Sequence, residues 1–229
     1  MKRITQLAIS GISSLAILGF FQPAQAVNLI PSVGMFSAYS NTNTITFDDG
    51  TANDPNNFVT YSNISNNIVL GTVIGEYVSP TDNNTKYMTI SPSNTNVAGN
   101  SGFVNLTFHQ PIDYFGFYAG SLDDYNYLSV YKDNQLLKTF SGLDMKEAIV
   151  NSGLLPKTDH YMNIFAESGK NFNRIVMGSN NIAFETDNHA YKIQETEKIP
   201  EASTTLGLLV FGTVGSLMIR NRKKSFLAG

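Results

Sequence analysis

The sequence predicts an all-β fold, a sandwich or a barrel, for the central part of the chain. Three observations carry this. Short apolar segments rich in β-branched and aromatic residues recur between turns of Asn, Asp, Ser and Gly. In Phe103–Phe108, Val104, Leu106 and Phe108 alternate with Phe103, Asn105 and Thr107, the period of a strand with one inward face. In YLSVYKDNQLLKTF, Asp133-Asn134 separates two such segments, and both residues tolerate the positive φ of a two-residue hairpin turn.

Taken in order, the predicted strands are Thr44–Phe47, Ile68–Ile74, Lys86–Ile90, Phe103–Phe108, Tyr114–Tyr118, Tyr127–Lys132, Gln135–Phe140, His160–Ala166, Arg174–Gly178 and Ile182–Thr186. In the hairpin, Leu128 and Val130 face the core on one arm, and Phe140 with either Leu136 or Leu137 on the other. A short helix is expected around Met145–Ser152, with Asp144-Met145-Lys146-Glu147 as a capping box. No internal repeat is evident.

The ends differ from this body. Lys2 and Arg3 precede an apolar stretch from Leu7 to Phe21, and Pro23-Ala24-Gln25-Ala26 follows. Small residues at Ala24 and Ala26 suit a signal peptidase site, so residues 1–26 read as a signal peptide passed to a secretion translocon. The body is then 27–193, followed by a polar linker, 194–199. No cysteine is present, which excludes a disulfide framework, a thiol nucleophile and thiolate metal ligation. An exported chain of this kind depends on its core for stability, and the body is long enough to form one.

The formal charge of −3 conceals an asymmetry. Between Val27 and Ile199 there are nine Lys and Arg against seventeen Asp and Glu, a net −8. So acidic a body repels phosphate backbones, and a nucleic-acid partner is not expected.

Ala202 to Ile219 is eighteen residues without a formal charge, and Arg220, Arg222, Lys223 and Lys224 follow directly. As a helix this run spans roughly 27 Å, close to the hydrocarbon thickness of a bilayer. The basic cluster acts as a stop-transfer signal that stays cytoplasmic, which puts the body outside. Pro200-Glu201-Ala202-Ser203, the apolar run and the basic end together resemble the PEP-CTERM sorting signal (200–229) of bacterial exported proteins. The resemblance implies recognition by an exosortase, a membrane-embedded transpeptidase that cuts near the Pro-Glu pair and passes the body to the cell surface or matrix. Pro200 and Glu201 match the motif, and Ala202 departs from its usual second proline.

The body has a resemblance of its own. Tyr114-Phe115-Gly116-Phe117-Tyr118 with Gly120-Ser121-Leu122-Asp123-Asp124-Tyr125-Asn126, Thr46-Phe47-Asp48-Asp49-Gly50 and Phe184-Glu185-Thr186-Asp187-Asn188 resemble exosortase-dependent surface proteins. This implies a jelly-roll-like antiparallel sandwich similar to carbohydrate-binding modules. In such modules the first and last strands lie adjacent. Asp48, Asp49 and Asp187, with Glu185 or Asn188, could then meet at one structural calcium, a hard cation suited to oxygen ligands.

Tyr118, Tyr125, Tyr127 and Tyr131 form the candidate glycan-binding set, since amphipathic rings bearing a hydroxyl suit polar ligands. Tyr127 and Tyr131 fall on the strand face opposite Leu128 and Val130. The sequence holds no tryptophan, the strongest stacking platform. His109, His160 and His189 show no HExxH spacing, and no Gly-Xaa-Ser-Xaa-Gly elbow occurs. His189 is expected as a polar surface residue. No catalytic residue is assigned, and the expected function is a non-enzymatic structural or adhesive role at the bacterial surface, in contact with exopolysaccharide. The alternatives are a secreted hydrolase acting on polysaccharide or ester substrates through Asp187 or His189, and a single-span envelope protein whose tail is never cut. Asn63, Asn83 and Asn105 open Asn-Xaa-Ser/Thr triplets, which with this tail carry no argument for glycosylation.

Overall fold

The computed structural model describes residues 27–155 and 159–193. The signal peptide with Ala24 and Ala26, the linker, the motif at Pro200 to Ser203, the apolar run and the basic cluster lie outside the described residues. Among the described residues no helix is long and apolar enough to cross a membrane.

Among the described residues the fold is all-β with one short helix. Eleven strands join in one hydrogen-bonded antiparallel sheet. They are β1 (Val27–Ser32), β2 (Asn43–Ile45), β3 (Val59–Ser62), β4 (Ile68–Leu70), β5 (Lys86–Ile90), β6 (Phe103–Ala119), β7 (Asn126–Lys132), β8 (Gln135–Ser141), β9 (His160–Ala166), β10 (Phe172–Ser179) and β11 (Phe184–Ile193). Helix α1 (Gly142–Asn151) directly follows β8.

Strand β6 makes this sheet sandwich-like. Its first part pairs with β3 on one edge and β10 on the other, and its last part, from Tyr114 to Ala119, pairs with β9 and β11. Pro111, which has no amide to donate, lies between the two parts. Opposite this stretch the β10 register shifts between Phe172 and Arg174. A bulge of this kind bends and twists the ladder. One half is therefore β3-β6-β10-β7-β8, and the other is β1-β9-β6-β11 with β2 and β5 along the outer edge of β11 and β4 beyond β5. Their inner faces form one apolar cluster: Val104, Leu106, Leu128, Val130, Ile175 and Met177 from the first half meet Met88, Ile90, Phe117, Met162, Ile164 and Phe184 from the second. The rings of Phe58 and Tyr191 stack across the halves at 5.3 Å.

Several expectations are revised here. The two predicted strands at Phe103–Phe108 and Tyr114–Tyr118 are one continuous strand. The strand predicted to reach Ile74 stops at Leu70, because Gly71 turns the chain with φ +71°. The last strand begins at Phe184 and runs to Ile193, well past Thr186. Strands β1 and β3 were not predicted. Pro31 sits in β1, which among the described residues pairs only with β9, and an edge strand tolerates a missing donor. Helix α1 starts earlier than expected: Ser141 is its N-cap, and Asp144 closes the box from the third helical position instead of opening one.

The hairpin matches its pattern. Lys132 pairs with Gln135 across the two-residue turn, and Asp133 takes φ +53°. Leu137 packs against the core and Leu136 is exposed, because the register slips by one residue between Val130 and Tyr131.

Candidate functional site

The outer face of the first half carries three rungs of side chains. Tyr131, Arg174, Thr107 and Thr60 lie across β7, β10, β6 and β3 in one rung. Ser129, Val176, Asn105 and Ser62 make the next, and Tyr127, Gly178 and Phe103 the third. Strand alternation produces this: every second residue turns outward while its neighbours fill the core.

Particular contacts fix the geometry of the face. The Arg174 guanidinium lies over the Tyr131 ring, 3.9 Å from its centroid, a cation–π contact that also presents a flat plane of donors. Tyr127 lies over Gly178, where a Cβ would come within 2.2 Å of its ring. Asn105 donates to Ser62 Oγ at 3.1 Å and to Thr107 Oγ1 at 3.2 Å, while Thr60 Oγ1 meets His109 Nε2 at 2.9 Å. Phe103, 42% exposed, ends the third rung. Aromatic surface beside a guanidinium and a row of hydroxyl and amide groups is chemistry that suits polyhydroxylated ligands.

The candidate tyrosines do not all converge here. Tyr127 and Tyr131 lie on this face as their alternation predicts. Tyr118 belongs to the second half, in a cleft of about 370 Å³ with Thr81, Asp82, Asp159 and His160. Its hydroxyl donates to the Thr81 carbonyl at 3.0 Å, and burial pushes its pKa up to about 12. Tyr125 is held in its loop, its hydroxyl 2.8 Å from both Asp123 Oδ2 and the Ile182 carbonyl. Arg174 and Phe103 were missed as members of the face. The only signal for them was their parity within strands read for core residues.

The candidate metal ligands have separate surroundings. Asp187 is buried and accepts from Asn83 Nδ2 at 2.6 Å and from the Asn188 amide at 2.7 Å. Burial, aided by the nearby charge of Asp48, raises its pKa to about 7. Asp49 points elsewhere, accepting from the Thr51 amide at 2.8 Å and the Thr51 hydroxyl at 2.9 Å; these bonds hold its pKa below the ordinary value. Glu185 is buried, accepting from the Val78 amide at 3.1 Å and from the Ser121 hydroxyl, and its pKa is raised by burial. Among the described residues no three His, Cys, Asp or Glu side chains gather closely enough to hold a metal ion. Of the expected set, Asp48 is the one whose charge acts on Asp187.

His189 is not a surface residue. It is 1% exposed and sits among the rings of Phe47, Phe115 and Phe117. Burial lowers its pKa to about 3, so the imidazole is neutral. The hydrolase alternative relied on Asp187 or His189 meeting a substrate, and both are buried. Comparisons with protein-family models, with curated proteins and with solved structures found no match to this chain.

Proposed function

We propose that this chain is an exported bacterial surface or matrix protein whose body, a jelly-roll-like sandwich, adheres to exopolysaccharide without catalysing a reaction. The open face of β3-β6-β10-β7-β8, with Tyr127, Tyr131, Arg174 and Phe103 set on a hydroxyl- and amide-bearing sheet, is the observation that carries this reading. The net −8 of the body favours uncharged sugars over acidic ones. Signal peptidase and the translocon handle the amino terminus. An exosortase-like transpeptidase acts at Pro200-Glu201 after the apolar run has held the chain in the membrane. The span from Val27, the first residue of β1, to Ile193, the last of β11, fits between these two processed ends. A calcium ion at Asp48 and Asp187 is the cofactor this reading admits.

Glycan arrays probed with residues 27–199 test the adhesive role. Binding to neutral polysaccharides that is lost in Arg174→Ala and Tyr127→Ala supports it, and an array blank with and without calcium overturns it. The mass and location of the mature chain test the sorting. A product ending near Pro200-Glu201 and released from the inner membrane is expected; a full tail retained there would instead establish the uncut single-span protein.

A further inference from the structure

On the other half of the sandwich, away from the open face, a cleft of about 230 Å³ lies between the loop after β1 and the outer surface of β6, β9 and β11. Its lining includes Tyr39, Tyr114, Phe165, Asp113 and Lys192. Three of these are rings in mutual contact: Tyr39 sits 4.8 Å from Phe165, edge-on at 72°, and 5.3 Å from Tyr114, while Tyr114 and Phe165 are 5.1 Å apart. Tyr39 remains 43% exposed, so part of an aromatic surface is left open beside the cleft.

The fold holds this arrangement in place. The Tyr39 amide donates to Ser37 Oγ at 3.1 Å, Ser37 Oγ lies 2.8 Å from the Tyr114 hydroxyl, and that hydroxyl donates to Asn163 Oδ1 at 2.8 Å. Because the Tyr114 proton goes to Asn163, the Ser37 hydroxyl donates to Tyr114, and the whole chain of bonds runs in one direction. Asn163 in turn donates to the Ile30 carbonyl at 2.9 Å, which ties the relay to β1. Thr42 Oγ1 donates to the Tyr39 carbonyl at 3.2 Å and holds the loop from its other side. Gly116 leaves room for the rings, since a Cβ there would lie 2.3 Å from the Tyr114 hydroxyl and 2.6 Å from Tyr161. A loop anchored in this way loses little freedom when a ligand settles on its tyrosine.

The polar members of the lining decide what fits. Asp113 supplies a carboxylate and Lys192 an ammonium, so the cleft offers a strong acceptor and a strong donor without net charge. A neutral ligand with vicinal hydroxyls satisfies both, and its apolar C–H face suits the Tyr39 ring. The volume lies below the usual range for drug-sized sites, which limits the occupant to about one ring.

We infer that this cleft is a subsite for a single neutral pyranose ring, stacked on Tyr39 and hydrogen-bonded by Asp113 and Lys192. It extends the glycan reading of the body but not its surface, so either site can fail without the other. The test uses the full chain in a detergent whose headgroup carries no sugar, with methyl glucoside, methyl galactoside and methyl mannoside as probes. Binding is followed by saturation-transfer NMR and by the tyrosine near-ultraviolet dichroism, which no tryptophan obscures. At least one pyranoside should bind saturably. Tyr39→Ala should weaken it roughly threefold to tenfold, the value of an aromatic contact. Asp113→Asn should weaken it about tenfold, the value of a hydrogen bond to a charged group. Tyr39→Phe, which keeps the ring, should leave it unchanged. Saturation by none of the three pyranosides, or binding that ignores both Tyr39→Ala and Asp113→Asn, overturns the subsite. Binding lost only in Arg174→Ala also overturns it, while leaving the open face as the adhesive surface.

Discussion

The Tyr61 hydroxyl on β3 meets His189 Nδ1 on β11 at 2.9 Å, a hydrogen bond between the two halves of the sandwich within its apolar core. His189 Nε2 is 3.0 Å from Thr186 Oγ1 on its own strand. Burial raises the Tyr61 pKa well above its ordinary value and lowers that of His189, so both are neutral. A neutral imidazole donates from one ring nitrogen and accepts at the other, so the phenol and the Thr186 hydroxyl take opposite roles toward the ring. Tyr61→Phe keeps the ring but leaves a buried imidazole nitrogen without its partner. It should cost about 1–3 kcal/mol in urea denaturation at neutral pH. An unchanged midpoint would mean that water replaces the phenol at no cost.

The pH dependence of stability reflects two buried groups of opposite sense. With its pKa raised from 3.8 to about 7, Asp187 keeps a proton that the unfolded chain gives up, and stability falls as pH rises through that interval. His189, with its pKa lowered from 6.5 to about 3, lacks a proton that the unfolded chain binds, and stability falls as pH drops through that interval. Asp187→Asn removes only the first effect. Its stability relative to the natural chain should therefore grow from pH 4 to pH 7, by on the order of 2–4 kcal/mol. A difference independent of pH would show that Asp187 titrates normally.

Calcium can be tested on the same carboxylate. A divalent cation between Asp48 and Asp187 favours the ionised forms of both. Calcium should raise the melting temperature at pH 8 and leave it unchanged at pH 5. Asp187→Asn should abolish the increase. Equal melting temperatures in calcium and in chelator at pH 8 would exclude the ion from this place.

Gly178 tests how the open face is built. Gly178→Ala brings a methyl within 2.2 Å of the Tyr127 ring, so the ring must leave its position over β10. Overpacking of this kind costs about 1–3 kcal/mol. Glycan binding should fall by more than the lost stability explains, as measured on the fraction that remains folded at low temperature. Full binding by the Ala variant would remove Tyr127 from the face.

The sequence made some of this legible and not the rest, for physical reasons. The alternation in Phe103–Phe108 and the Asp133-Asn134 turn are local signals, and both features formed as read. The parity of Tyr127 and Tyr131 placed them on the open face. Arg174 could not be assigned to Tyr131, because that contact depends on the pairing of β7 with β10, which are far apart in the chain. His189 was misplaced because its polarity suggested solvent, whereas its partners, Tyr61 and the Phe rings, come from other strands. Ser141 was overlooked as a cap because it also ends β8, and a residue serving two elements gives a clear pattern for neither. The Tyr39 cleft joins a loop to three strands, and no spacing in the chain marks it.

Strand β11 ends at Ile193, on the side from which the chain continues toward Pro200. On one side its neighbour in the sheet is β6, the strand common to both halves. A pull at Ile193 is directed along β11, at right angles to the hydrogen bonds of an antiparallel ladder. Those bonds are then sheared together instead of opening one after another, and β6 passes the load to both halves at once. A body tethered by this end would resist tearing through β6, its longest strand.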